Sequence, residues 1–255
     1  MAIAPHSERF SIYSFQEDVT GTATLQSVCD YMQEAAGNHA ALLGLSIERL
    51  HSEGVAWVLA RMRLLPERLP KVHETIEVIT WPVGVEGLQY RRDFLVRGED
   101  GAVLMRAVSH WVVVSLATRK VGRVPAFIAA KALDNAETVM PDEKRRLAEV
   151  PAAYETGVFT ARLSDIDRNR HVNNVRYTDW LLESVPVPAR ESLRLADMEI
   201  TYRAESYAGD IISARTAPAV QFGGAQAPHG GEAFCHSLVR EADARELVRA
   251  QSLWV

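Results

Sequence analysis

The segment Asp18–Glu34 (DVTGTATLQSVCDYMQE) lies over Asp167–Glu183 (DRNRHVNNVRYTDWLLE) at a constant offset of 149 residues, so that Asp18 meets Asp167, Tyr31 meets Trp180, Met32 meets Leu181 and Glu34 meets Glu183. Nearer the end of each copy, Arg106–Val112 (RAVSHWV) lies over Arg249–Val255 (RAQSLWV) at an offset of 143, with five of the seven positions identical. Shortened loops absorb the small difference in offset, and the chain reads as a tandem duplication. A length of 255 residues alone fits one large domain or two of common size. The repeat resolves it into copies at 1–127 and 155–255, with 128–154 between them. That segment is rich in Ala, Lys, Arg and Glu, carries Pro141 and Pro151, and is expected to be a solvated, partly helical linker.

Each copy opens on a helix and continues in strands. Leu25, Val28, Cys29, Met32, Ala35 and Ala36 recur at steps of three and four, which predicts a helix with one buried stripe ending near Gly37-Asn38. Extended segments follow at Val55–Leu64, His73–Trp81, Leu88–Arg97 and Val103–Ser115. In the second copy the stripe is Val175, Thr178, Leu181, Leu182 and Val185, stopped by Pro186 and Pro188. Strands are expected before it at Thr156–Leu163 and after it at Leu195–Tyr202, Asp210–Ala217, Glu232–Arg240 and Glu246–Val255. In Leu195–Tyr202 the alternation sets Met198 and Ile200 on one face and Asp197 and Glu199 on the other, which predicts one wet face. One helix followed by several antiparallel strands excludes a βαβ unit. The expected class is α+β, a tandem double hotdog of two antiparallel sheets, each wrapping a central helix.

The balance of 28 basic and 33 acidic residues gives a net charge of −5, with no block of five like charges, so nucleic-acid binding over a broad basic surface is not expected. Cys29 and Cys235 stand alone and read as reduced thiols of a cytoplasmic protein. Met1–Phe10 has no basic start followed by an apolar stretch. The best apolar run, Trp111–Ala117, is far short of the roughly 20 residues of a membrane helix, so neither secretion nor membrane insertion is expected.

Polar chemistry concentrates in Asp165–Asn174 (DIDRNRHVNN), between a strand and the second central helix. Asn173 or Asn174 can cap that helix, which accounts for one or two of these residues. A calcium loop needs Gly at its sixth position and Glu at its twelfth, where Arg170 and Arg176 stand. The eight histidines show no zinc spacing, and no Gly-rich phosphate loop follows a strand; Gly223-Gly224 and Gly230-Gly231 read as turns. No cofactor or metal is therefore expected. What remains is acid–base chemistry: His171 can move a proton or donate to a carbonyl, Asn169 can offer its amide to the same oxygen, and the helix start adds a positive dipole end. The first copy carries Asp18, Thr20 and Thr22 where the second carries Asp167, Asn169 and His171, so the chemistry is expected in the second copy only.

The stretch D-x-D-x-N-x-H-V-N-N-V-x-Y, followed by Trp180 and Glu183-Ser184, resembles the signature of acyl-acyl carrier protein thioesterases of plant plastids and bacteria. The resemblance extends over nearly the whole chain through Thr22-Ala-Thr, Asn38-His39-Ala40, Trp57-Val58, Thr80-Trp81, Arg91-Arg92-Asp93, Trp111-Val112 and Tyr202-Arg203 with Glu205. It implies hydrolysis of the thioester of acyl carrier protein to a free fatty acid, ending fatty acid synthesis. In that reading Glu205 is the general base for water, His171 and Asn169 hold the carbonyl, and Asp167 positions Asn169 or the substrate. The first copy would take the acyl chain. An older scheme for the family places a nucleophilic cysteine just after the acidic residue. Here Ser206 stands there, a weak nucleophile unless a base activates it.

The implied partner is acyl carrier protein bearing acyl-phosphopantetheine, and a homodimer is compatible with the family. An acidic carrier must meet a local basic patch: Arg162, Arg168, Arg170 and Arg176 beside the active segment, with Arg91, Arg92, Arg119, Lys120 and Arg123 as further candidates. Two other readings share the fold: an acyl-CoA thioesterase, and a non-catalytic acyl-thioester-binding module, which would have no need of the Asp167, Asn169, His171 and Glu205 set.

Overall fold

The computed structural model describes residues 4–133, 136–142 and 145–255. The chain divides into two compact units, Met1–Asp142 and Glu143–Val255. The first runs β1 (His6–Ser11), α1 (Leu25–Leu42), α2 (Ile47–Ser52), β2 (Val55–Pro66), β3 (Thr75–Glu86), β4 (Gln89–Gly98), β5 (Val103–Ser115), β6 (Val121–Gly122) and α3 (Ala126–Ala129). Its strands pair antiparallel in the order β1-β3-β4-β5-β2, with β6 on β5. The second runs β7 (Glu155–Thr160), α4 (Asn174–Glu183), α5 (Val187–Ser192), β8 (Leu195–Tyr202), β9 (Ile211–Ala219), β10 (Gln221–Phe222), β11 (Ala225–Gln226), β12 (Glu232–Arg240) and β13 (Arg245–Trp254). Its sheet order, β7-β9-β12-β13-β8, repeats the first strand for strand. The fold is α+β, a double hotdog. Among the described residues no helix is long and apolar enough to cross a membrane.

The duplication reaches single contacts. The Trp111 indole N–H donates to Ser109 Oγ at 2.9 Å, and the Trp254 indole N–H donates to Ser252 Oγ at 2.9 Å. Phe10 stacks on Tyr31 and, 149 residues on, Phe159 stacks on Trp180. Each central helix buries the stripe its spacing predicts: Val28, Cys29, Met32, Ala35 and Ala36 in α1, and Val175, Thr178 and Leu181 in α4. Each large apolar side chain so buried contributes about 1.5–3 kcal/mol.

α1 does not stop at Gly37-Asn38. It continues to Leu42 and ends where Gly44 adopts φ 74°, with the Leu45 N–H returning to the Ala40 carbonyl. Gly37 is exposed mid-helix, and an added Cβ would meet nothing within 4 Å. Gly37→Ala is therefore expected to stabilise the protein by ~0.5–1 kcal/mol, read as a shift in the urea midpoint; a destabilised variant would contradict this. The strand β1 and the short helix α2 went unread in the sequence.

Two expectations about solvent are overturned. The face of β8 predicted to be wet holds Asp197 and Glu199, both buried, because residues 145–150 lie across it: Arg145 Nη1 is 3.8 Å from Asp197 and 3.9 Å from Glu199. Arg249 of β13 holds the same stretch, donating to the Leu147 carbonyl at 3.3 Å and to Glu149 at 3.2 Å, while Val150 packs on Ala217 and Cys235. Nor is 136–142 a solvated linker. In the first unit the Asp93 carboxylate accepts the Val139 N–H at 2.8 Å, Arg91 donates to the Met140 carbonyl at 3.1 Å, and Asp142 takes a two-pronged bond from Arg61 at 2.7 and 2.9 Å and a further bond from His110. Burial works against the charge on Asp142, but His110 and Arg61 outweigh it and hold the carboxyl well below its usual range.

The second unit's interior contains a polar chain whose proton order can be assigned. The Ser184 hydroxyl donates to the Leu181 carbonyl at 2.6 Å, so toward Thr216 (2.6 Å) it accepts. Thr216 then accepts from His236 Nδ1–H at 2.9 Å, and His236 Nε2 accepts from Ser252 at 2.8 Å. Burial pushes the His236 ring down to about 3. The unfolded chain takes up this proton below about 6.5, whereas the folded chain stays neutral to about 3. The unfolded state thus binds more protons across that window, and stability falls as pH is lowered, by up to ~1.4 kcal/mol per pH unit for one such group. His39, lowered to about 4 by burial and then by Arg92, acts in the same direction. Urea titrations at pH 7, 6 and 5 are expected to show a falling unfolding free energy; a flat profile would contradict it.

Candidate active site

The segment entering α4 is folded by one carboxylate. Asp167 Oδ1 accepts the backbone N–H of Asn169 at 2.8 Å and of His171 at 3.4 Å, and Oδ2 accepts the Asn169 side-chain N–H at 3.2 Å. The Asp167 N–H reaches the His171 carbonyl at 2.8 Å, closing a tight turn with Arg170 at φ 66°. Asn173 ends the turn and caps α4, accepting from the Val175 N–H at 3.2 Å. The sequence order of an acid, an amide and a histidine at alternate positions is therefore one local structure, with Asp167 as its organiser.

Glu205 comes from the segment after β8. The Val172 N–H donates to the Ser206 carbonyl at 2.9 Å, and the Ser206 N–H donates to Tyr177 Oη at 3.1 Å, so the Glu205 segment is tied both to the residue after His171 and to α4. This brings His171 Nε2 to 3.3 Å from Glu205 Oε2. The His171 and Glu205 side chains are 22% and 35% exposed, sheltered yet open to a ligand. Tyr207, which nothing in the sequence singled out, sets its ring edge-on to His171 with centroids 5.3 Å apart, and its hydroxyl donates to Glu205 Oε2 at 3.4 Å. Ser206 is fully buried, and its hydroxyl is 2.8 Å from Tyr177 Oη. Burial raises the Tyr177 phenol to about 12, so it is no base for activating a serine.

The first unit repeats this scaffold without the histidine and the carboxylate. Asp18 Oδ1 accepts the Thr20 N–H at 2.8 Å, the Asp18 N–H reaches the Thr22 carbonyl at 2.8 Å, Gly21 takes the turn at φ 77°, and Thr24 caps α1. The Ala23 N–H donates to the Pro70 carbonyl at 2.8 Å, as the Val172 N–H does to Ser206. Leu69 therefore stands where Glu205 does, and Thr22 where His171 does.

Among the arginines proposed from sequence, Arg162, Arg168 and Arg170 are exposed, as is Leu163 at 83%, while Arg176 leans on Asp165 at 3.6 Å. Arg91 and Arg92 are not surface groups. Arg91 makes a two-pronged bond to Asp93 at 2.7 and 2.9 Å, and Arg92 donates to Thr80 at 3.1 Å and lies 3.2 Å from His39 Nδ1. Both faces of β4 are covered, one by α1 and the other by residues 139–142.

A pair of hotdog units, one with His171 facing Glu205 and the other with Thr22 and Leu69 at the matching places, defines the class. Residues 4–131 match the acyl-ACP thioesterase N-terminal domain and residues 149–254 match the acyl-ACP thioesterase C-terminal domain. The chain belongs to the acyl-ACP thioesterase family. It is 32% identical over 262 residues to a chloroplastic palmitoyl-acyl carrier protein thioesterase of Arabidopsis thaliana, a match spanning 97% of this chain and 63% of that one. Among solved structures, an acyl-ACP thioesterase from Bacteroides thetaiotaomicron is similar with a TM-score of 0.83 and 26% identity over 98% of each chain. The 12:0-ACP thioesterase from Umbellularia californica is similar with a TM-score of 0.83 and 26% identity over 98% of this chain and 97% of that one.

Proposed function

We propose that this protein hydrolyses the thioester of acyl-acyl carrier protein, releasing a free fatty acid and the carrier thiol and so ending acyl-chain synthesis. The observation that carries this reading is the His171–Glu205 contact at 3.3 Å in the second unit, against Thr22 and Leu69 at the same places in the first. Glu205 takes a proton from water as the oxygen attacks the thioester carbon. Negative charge then builds on the carbonyl oxygen, where the His171 ring N–H and the amide N–H that Asn169 does not spend on Asp167 are the donors. Asp167 acts by holding Asn169 and the His171 backbone. As the intermediate collapses, the thiolate leaves and takes back the proton held by Glu205. The buried Ser206 hydroxyl, bonded to Tyr177, favours direct attack by water over an acyl-serine. The unpaired cysteines Cys29 and Cys235, both buried, fit a cytoplasmic setting.

The exposed Arg162, Arg168 and Arg170 supply the docking patch for the acidic carrier. Thiol release from matched acyl chains on the two carriers tests this part. The expected result is a higher kcat/KM for acyl carrier protein than for CoA, falling steeply with added salt. A higher kcat/KM for acyl-CoA with no salt dependence would contradict it.

A further inference from the structure

Glu205 sits in a short loop with one-third of its side chain exposed, so the direction of its carboxylate depends on what the side chain touches. The loop's backbone is well held. The Glu205 carbonyl accepts from Arg240 Nη1 at 3.2 Å, Arg240 is fixed in turn by a two-pronged bond to Asp243, and the Tyr207 N–H donates to Asp210 Oδ2 at 2.9 Å. None of these bonds reaches the carboxylate. Tyr207 does, with its hydroxyl 3.4 Å from Oε2, the oxygen that also faces His171, while its ring packs T-shaped on the imidazole. One side chain thus touches both members of the pair. At the matching place in the first unit stands Lys71, in a β-bridge with Thr22, so the aromatic clamp occurs only where the pair does.

We infer that Tyr207 is a positioning residue for this site, clamping the Glu205 carboxylate with its hydroxyl and the His171 ring with its own ring. The inference rests on the proposed roles of Glu205 and His171. Two substitutions separate the two contacts. Tyr207→Phe keeps the ring and loses the donor; Tyr207→Ala loses both.

A carboxylate that loses a donor holds its proton more tightly. Tyr207→Phe should therefore move the acidic limb of the kcat/KM profile to higher pH by ~0.3–1 unit and lower kcat by ~3–10-fold, with KM little changed. Tyr207→Ala should lower kcat further, with the same direction of shift.

The test is the pH dependence of acyl-carrier-protein hydrolysis for wild type, Tyr207→Phe, Tyr207→Ala, Glu205→Gln and the Glu205→Gln/Tyr207→Phe pair. The expected result is the shifted limb in Tyr207→Phe and no further loss when that change is added to Glu205→Gln. A crippled Glu205→Gln beside a Tyr207→Phe with wild-type profile and kcat overturns the clamp and leaves the site reading standing. Wild-type activity in Glu205→Gln overturns the site reading and the clamp with it.

Discussion

Glu205→Gln is expected to lower kcat for acyl-carrier-protein hydrolysis by ~10²–10⁴-fold, since the amide cannot accept the proton of the attacking water. His171→Ala should lose a comparable factor, because the ring supplies the N–H that meets the developing oxyanion. Both side chains are partly exposed, so both variants should keep the wild-type urea midpoint. Thr22→Ala, at the position matching His171 in the first unit, should leave kcat unchanged. Free thiol release at saturating substrate reads all three. Full activity in both second-unit variants, or a large loss in Thr22→Ala, would place the chemistry elsewhere.

Asp142→Ala should be the most damaging change to stability outside the apolar core. It strips the shared partner from Arg61, whose side chain is 8% exposed, and from His110, which is fully buried. Breaking a buried ion pair from one side typically costs ~3–5 kcal/mol, because the remaining charge keeps its desolvation penalty. The same loss frees residues 139–142 from the sheet face that Arg91 and Asp93 help them cover. Glu67→Ala is the control: its pair with Arg106 lies at the surface, the two side chains 57% and 34% exposed, and its loss should cost under ~1 kcal/mol. Urea unfolding of the two variants compares them directly, and a similar small loss in both would contradict the buried role of Asp142.

How much of this was legible beforehand depends on how locally each feature is encoded. The strands Val103–Ser115, Leu195–Tyr202 and Glu232–Arg240 match their expected limits because each has its own β-rich run and flanking turn residues. The end of α1 was misplaced because Gly37 reads as a stop, whereas Gly44 supplies the left-handed turn that ends the helix. Solvent exposure was the hardest feature to read. Alternation in a strand tells the two faces apart, but it cannot show that 136–142 and 145–150 cover the polar face of each sheet. Arg91, Asp197 and Glu199 therefore read as solvent-facing, and Arg92, on the other face of β4, is buried against His39 of α1.

The site divides in the same way. Asp167, Asn169 and His171 lie within five residues of one another and form one hydrogen-bonded turn, so their spacing carried the signal. Glu205 lies 34 residues from His171, and only a pattern over the whole chain pointed to it. Tyr207 carried no signal, because its contacts depend on how the loop after β8 folds back. The pairing of Glu205 with Leu69 was equally hidden, since the offset between the copies drops there from 149 to 136.

The central claim is that the second unit cleaves the acyl thioester by direct attack of water. Intact-mass spectrometry of the protein mixed with acyl carrier protein bearing one acyl chain tests it in one measurement. The predicted record is a carrier that loses its acyl mass with time while the mass of this protein never changes. An enzyme that gains the acyl mass, or a carrier that keeps it, would contradict the account.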